Sequence, residues 1–283
     1  MNGTPSLSGF PERSLDAIVM AGGINTRELY PGYQPGYKAL IELGGKPFIR
    51  HVLDALEGSR CVRQIGIVGS EPDLRPVVGP DYRIAPSGDT PLVSIANGLE
   101  LFADAPLVLV ATGDLAMLRP ELVDDFVARC GARDAGTYPE KLFISVVPED
   151  AFTGVYAACK KGLNRFRGAA VCHGNLFVAT PSLTRNEEVM GRLNAIYAAR
   201  KNALTSAMAF GIGLGLAYAF GVHFLHILTL ERIAKMASNR FGFSFLPVIC
   251  PDPRIAIDID EAADYEIATQ VLGAQPAAAD GGK

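Results

Sequence analysis

The run Leu15–Ala21 (LDAIVMA) is apolar apart from Asp16 and stops at Gly22-Gly23. A short apolar run bounded by glycine is how a strand covered on both faces reads, and such strands belong to parallel sheets flanked by helices. The pattern recurs at Gln64–Gly69 and at Leu107–Thr112 (LVLVAT), which ends in Gly113-Asp114. Amphipathic helices are predicted between these runs. One opens at Lys46-Pro47 and runs to about Leu56, with proline at a permitted first-turn position; others cover Pro91–Phe102 and Pro120–Cys130. Strands alternating with helices predict an α/β fold: a three-layer, Rossmann-like, mostly parallel sheet with right-handed crossovers. Ligands of such sheets sit beyond the carboxyl ends of the strands, where Gly22-Gly23 and Gly113-Asp114 fall.

Past Gly131 the pattern is less regular. Ala169–Ala179 reads as two strand pieces around His173-Gly174-Asn175, Asn186–Arg200 as a helix, Leu246–Ile249 and Ile255–Ile259 as strands, and Glu261–Leu272 as a closing helix. One domain over 1–272 is expected, with a helical apolar insertion at about 186–241 and a frayed tail over 273–283. With 49% hydrophobic and 20% charged residues the chain can bury a large core. Its net charge of −4 does not suit a general nucleic-acid binder. Five widely spaced cysteines without a C-x-x-C pair argue against a disulfide framework or zinc knuckle and for a reducing compartment. Met1–Ser14 lacks the pattern of a secretory leader, so cytoplasmic placement is expected.

Three segments carry candidate chemistry. Gly22 and Gly23 lack Cβ atoms, so backbone amides there can approach a phosphate chain, and Arg27 and Lys38 can reach back to it. Neither a G-K-[ST] nor a G-x-G-x-x-G follows, which excludes the P-loop and dinucleotide fingerprints. Asp114, after a strand-ending glycine, is placed to hold a hard cation such as Mg²⁺; the plainer alternative is a cap for the next helix. In IAIDIDEAADYEIA, Asp258 and Asp260 alternate with isoleucines, which puts both carboxylates on one face of a strand. Asp260 also reads as an N-cap of the last helix, which leaves Asp258 the better metal candidate.

Together, AIVMAGGINTR…YKALIELGGKPFIRHVLDAL, TGDLAML and IDIDEAADYEIA resemble, in order, the opening, metal-binding strand end and closing strand of the nucleotidyltransferase superfamily. That superfamily includes sugar-phosphate pyrophosphorylases and MobA-like molybdenum cofactor guanylyltransferases. The resemblance implies a GT-A-like fold and a Mg²⁺- or Mn²⁺-dependent enzyme that joins a nucleoside monophosphate unit to a phosphorylated small molecule and releases pyrophosphate. It implies that Ala21, Gly22 and Gly23 wrap the triphosphate and that Arg27 and Lys38 neutralise charge during transfer. Metal would be held by Asp114 with Asp258 or Asp260. Ser94 and Asn97, in PSGDTPLVSIANGLE, would face the nucleotide, and His173, Gly174 and Asn175 would meet the acceptor. Tyr37 stands before Lys38 where many pyrophosphorylases have proline, which argues against a specific sugar-nucleotide assignment.

The stretch 203–230 contains no Asp, Glu, Lys or Arg and is long enough to span a bilayer. A single span would separate Asp114 from Asp258, so three readings stay open: two shorter helices packed on the domain, a homodimer interface, or a peripheral membrane contact. His223 and His226, three apart, could share a helical face and hold a metal. Arg200-Lys201 could meet a phosphate or an anionic surface. Lys160, Lys161, Arg165 and Arg167 form a basic patch that suits an anionic acceptor or a solvated hairpin. The competing functional classes are a nucleotide-binding regulatory protein without turnover and a membrane protein anchored through 203–230.

Overall fold

The computed structural model of the chain describes residues 11–133, 137–159, 162–199 and 228–273. The run 203–227, Arg200-Lys201, His223, His226, Lys160, Lys161 and the tail from 274 lie outside the described residues. The strands are β1 (Leu15–Met20), β2 (Val62–Val68), β3 (Arg83–Ala85), β4 (Val108–Thr112), β5 (Lys141–Pro148), β6 (Asn164–Phe166), β7 (Ala169–Ala179) and β8 (Ser244–Ile249). The α-helices are α1 (Phe48–Glu57), α2 (Glu71–Val78), α3 (Pro91–Glu100), α4 (Pro120–Ala132), α5 (Glu187–Ala199), α6 (Leu230–Phe241) and α7 (Ala262–Leu272).

The strands form an eight-stranded sheet in the order β8-β5-β7-β4-β1-β2-β3, with β6 hairpinned onto β7. Pairing is parallel from β4 through β1 and β2 to β3, and again between β5 and β8. β7 alone among the described strands runs against the rest, pairing antiparallel with β4, β5 and β6. The expected three layers follow from the alternation along β1. Ala17 and Val19 point into a core shared with Phe48, Val52 and Leu53 of α1 and Val123 and Phe126 of α4. Ile18 points the other way, to Leu99 of α3, Val189 of α5 and Phe241 of α6. Asp16, the polar exception in this run, is buried beneath the guanidinium of Arg63, which donates two hydrogen bonds to it at 2.9 and 2.6 Å. α5 and α6, at the two ends of the apolar stretch, thus pack on the outer face of the sheet. Among the described residues, no helix is long and apolar enough to cross a membrane.

Three sequence expectations change in local detail. Lys46 and Pro47 do not open the helix. They pair with Glu42-Leu43 across Gly44-Gly45, whose φ values of +63° and +74° suit a tight hairpin turn, and α1 starts at Phe48. Ile255–Ile259 is not a strand. The Asp252 carboxylate accepts from the Arg254 amide, a 3₁₀ turn forms over Pro253–Ile255, and the Ala256 and Ile257 amides bond back to the Pro253 carbonyl. The burial alternation survives nonetheless, with Ile255, Ile257 and Ile259 in the core and Asp258 and Asp260 only partly buried. Asp260 is not the N-cap of α7; Glu261 is, and the buried Asp264 carboxylate accepts from the amides of Asp260 and Glu261.

The expected break at His173-Gly174-Asn175 is a register shift within one strand, β7, between His173 and Phe177. The buried Ser145 hydroxyl of β5 patches the interrupted ladder, donating to the Leu176 carbonyl at 2.7 Å and accepting from the Leu176 amide at 3.2 Å. A Cβ at Gly174 would fall 2.1 Å from this oxygen, so glycine and serine fit as a pair. Ser145→Ala, which leaves both Leu176 groups buried without a partner, is expected to lower the unfolding free energy by about 1–3 kcal/mol, read from urea denaturation at unchanged m-value.

Candidate active site

β1 and β4 are neighbours, but the chain leaves β1 towards β2 on one side and reaches β4 on the other. Their carboxyl ends therefore form the crevice where the strand order reverses. The Gly113 amide donates to the Met20 carbonyl at 2.9 Å, and a Cβ on Gly113 would lie 3.0 Å from that oxygen. This close approach requires glycine and delivers Asp114 to the end of β1.

Asp114 meets Asp258 and Asp260 there. One carboxylate oxygen from each of the three lies within 4.8 Å of the others. Asp114 is 8% exposed, and its buried Oδ1 has no hydrogen-bond partner. Lys38 is the neighbouring cation: its Nζ lies 3.2 Å from Asp114 Oδ2 and also binds Asp260 Oδ1. Burial works against the lysine's charge, yet Asp114 and Asp260 hold its pKa above the ordinary value. Asp258 shows the opposite strain. Burial, followed by repulsion from Asp114 and Asp260, pushes its carboxyl up to about 6.

The loop after β1 crosses this crevice. Ala21 is anchored by its amide to the Val68 carbonyl at 2.7 Å, and the Gly23 carbonyl accepts from the Lys38 amide at 2.9 Å. Gly22 packs on Ser87, where an added Cβ would come within 2.1 Å of the hydroxyl. Asn25 is buried; its carboxamide accepts from the Arg27 amide at 3.0 Å and donates to the Arg27 carbonyl at 3.1 Å, which fixes the turn carrying Arg27. The Arg27 guanidinium binds Glu261, both side chains being more than half exposed. Tyr30 packs on Tyr265 of α7 at a ring separation of 5.1 Å, so the loop is seated on the same helix that follows the acidic segment.

A cleft of about 510 Å³ opens beside Gly22, lined by Ile24, Tyr37, Gly69, Ser70, Pro86 and Ser87 among others. Ser94 and Asn97 sit behind its wall. The Ser94 hydroxyl donates to the Thr90 carbonyl at 3.1 Å and accepts from the Gly88 amide, and the Asn97 carboxamide donates to the Pro86 carbonyl. Both shape the 86–90 loop, and Ser87 is the side chain the cleft receives. On the far side, Asn175 Nδ2 donates to the Ala256 carbonyl at 3.4 Å, which joins the β7 break to the segment carrying Asp258. His173 is exposed by area but surrounded by protein on most sides, and desolvation lowers its pKa. Arg165, in the β6–β7 hairpin, pairs with Glu149. All five cysteines are buried. Burial raises the thiols of Cys61 and Cys172 to about 11 and that of Cys250 to about 12, so none is a ready nucleophile.

Ser87, Ile24, Asn25 and Glu261 were not singled out as site residues from sequence. Asn25 within GGINTR was the legible one, since Asn two residues before Arg27 signals a side-chain-capped turn.

The sequence model of the MobA-like NTP transferase domain matches residues 17–175. The chain belongs to this family. Among curated proteins it is 33% identical over 114 residues to a 2-C-methyl-D-erythritol 4-phosphate cytidylyltransferase of Rubrobacter xylanophilus, covering 38% of this chain and 47% of that protein. It is 28% identical over 119 residues to a probable molybdenum cofactor guanylyltransferase of Thermococcus sibiricus, covering 40% and 54%. The chain thus spans about half the length of the curated relatives it matches. A hypothetical transferase of Thermus thermophilus superposes with a TM-score of 0.70 at 27% identity, over 89% of this chain and 99% of that one. The 4-diphosphocytidyl-2C-methyl-D-erythritol synthase of Anaerococcus prevotii shares the fold, with a TM-score of 0.53 at 14% identity over 94% and 97%.

Because the Asp258 carboxyl is held near 6, above the usual carboxylate value, its protonated form stabilises the fold fully below about pH 4. That contribution is lost as pH rises through 6. Thermal unfolding in EDTA should therefore show Asp258→Asn gaining stability over the parent at pH 7.5 and little at pH 4.5. An equal gain at both values would refute the raised Asp258 pKa.

Proposed function

We propose that this chain is a divalent-metal-dependent nucleotidyltransferase that converts a nucleoside triphosphate and a phosphorylated small molecule into a nucleotide-diphospho-acceptor and pyrophosphate. The observation that carries the reading is the convergence of Asp114, Asp258 and Asp260 beside Lys38 at the sheet's reversal point, under a glycine loop. The donor set fits a hard cation of the Mg²⁺ or Mn²⁺ type. All the ligands are carboxylate oxygens, and the buried Asp114 Oδ1 lacks the partner that a buried acceptor needs. Asp114, Asp258 and Asp260 would hold the ion, which when bound would withdraw charge from the phosphates it touches.

The chain's own residues supply the rest. The Ala21-Gly22-Gly23 backbone admits the triphosphate, and the cleft beside Gly22 receives the nucleoside. An acceptor phosphate oxygen attacks the α-phosphorus; a new P–O bond forms there as the bond to the bridging oxygen breaks, and that electron pair leaves on pyrophosphate. No protein nucleophile is required. Lys38 and Arg27 neutralise charge that grows on the phosphates, and the fixed loop lowers the entropy cost of alignment. His173, Gly174 and Asn175, adjoining the Asp258 segment, suit the acceptor's side. The cytidylyl and guanylyl transfers named for the relatives make a pyrimidine or a guanine nucleotide the donors to test first. Cysteines buried in the core agree with a cytoplasmic setting.

Purified full-length protein with Mg²⁺ and each NTP, offered a pool of sugar, polyol and pterin phosphates, should release pyrophosphate with one pairing. Asp114→Ala should reduce kcat/KM by at least about 10²-fold, on the scale of removing one preorganised electrostatic contact. Nucleotide binding without release from any pairing would instead favour a regulatory protein that has kept the fold.

A further inference from the structure

Lys38 stands where the nucleotidyltransferase reading needs a metal. Its ammonium contacts two of the three clustered carboxylates, Asp114 and Asp260, and its side chain is only 20% exposed. The second cation of the loop is parked in the same way, with Arg27 on Glu261 immediately after Asp260. Both cations of the phosphate-facing loop are therefore engaged with acids of the 258–261 segment. An ammonium seated on Asp114 Oδ2 and Asp260 Oδ1 repels a dication drawn to the same carboxylates, so the present position of Lys38 and metal binding compete.

We propose that Lys38 holds the place of the divalent cation until a metal–nucleotide complex arrives, so that metal entry and release of Lys38 towards the phosphates are one exchange. The proposal rests on the transferase reading above. Lys38 can make this movement without disturbing the backbone. Its amide stays bonded to the Gly23 carbonyl, and its stem lies over Gly23, where a Cβ would sit 3.7 Å from Lys38 Cδ. Rotation about the flexible four-carbon stem carries the ammonium from the carboxylates to the space above the glycine loop. Metal alone must displace Lys38 and leave a half-buried ammonium without a partner. With the nucleotide present, the phosphates become that partner. Metal and nucleotide affinities are therefore coupled, each raising the other. Arg27, more than half exposed and paired only at the surface, offers a weaker second exchange of the same kind.

Mn²⁺ binding to the full chain without nucleotide, followed by electron paramagnetic resonance, tests this apart from turnover. Lys38→Met should bind Mn²⁺ at least tenfold more tightly than the parent although it no longer releases pyrophosphate. Equal or weaker binding by a folded Lys38→Met protein overturns the exchange; the transferase reading then stands if the parent still binds Mn²⁺ and turns over. Absence of Mn²⁺ binding from both proteins removes both. The parent protein gives a second readout that does not depend on the variant folding. Acylation of Lys38, followed by mass spectrometry, should accelerate with Mg²⁺ alone and slow when Mg²⁺ and nucleotide are both present. A rate indifferent to Mg²⁺ overturns the proposal.

Discussion

Parallel pairing of β1 with β4 is the contact from which the candidate site is built. Five successive residue pairs, Asp16 with Val108 through Met20 with Thr112, keep the two strands in step. Both consequently end at one level, and the chain leaves that level in two directions. Crossovers in such a sheet cannot place a side chain over the gap between diverging strands, so a crevice forms there whatever the enzyme does with it. Gly22 and Gly113 border this gap, Gly22 packed on Ser87 and Gly113 on the Met20 carbonyl. A methyl group at either position would press on Ser87 or on the Met20 carbonyl. The apolar residues that bury β1 and β4 therefore also dictate where a polar site can lie.

Into this crevice the fold brings three acids that would separate if free to do so. They stay together because the isoleucines around them are anchored. Ile255, Ile257 and Ile259 are buried at 0%, 3% and 0% exposure and hold Asp258 and Asp260 between them. Lys38 relieves part of the repulsion, and Asp258, desolvated by burial and then repelled by Asp114 and Asp260, carries a raised pKa. Hydrophobic burial thus sustains an electrostatic strain that a polar loop would relax, and such stored strain is characteristic of functional sites.

The sheet and the acid trio were legible in the sequence for the same reason: both rest on simple periods. Continuous apolar runs ending in glycine gave the central strands, and I-D-I-D alternation gave the shared face of Asp258 and Asp260 even though no ladder forms there. Side chains that serve the backbone were less visible. Asp264, rather than Asp260, takes the amides at the start of α7, because the chain turns one residue later than the spacing suggests. Gly44-Gly45 closes a hairpin that removes Lys46 and Pro47 from α1. Ser94 and Asn97, polar and correctly placed along α3, are drawn into bonding the 86–90 loop, and Ser87 takes the cleft. In each case a nearby amide or carbonyl sets the local geometry, and spacing alone does not reveal which backbone groups lack partners.

Cys61, Cys130 and Cys250 come from β2's approach, α4 and the end of β8, yet all lie in the same core against α1 and α4. Their thiols are buried and poorly ionised, so they are silent towards alkylating reagents while the layers stay closed. The layer between the sheet and α1 and α4 thus carries its own built-in clock. The order in which the three sulfurs become alkylated would record how this one layer comes apart, in the unaltered chain and without an added label.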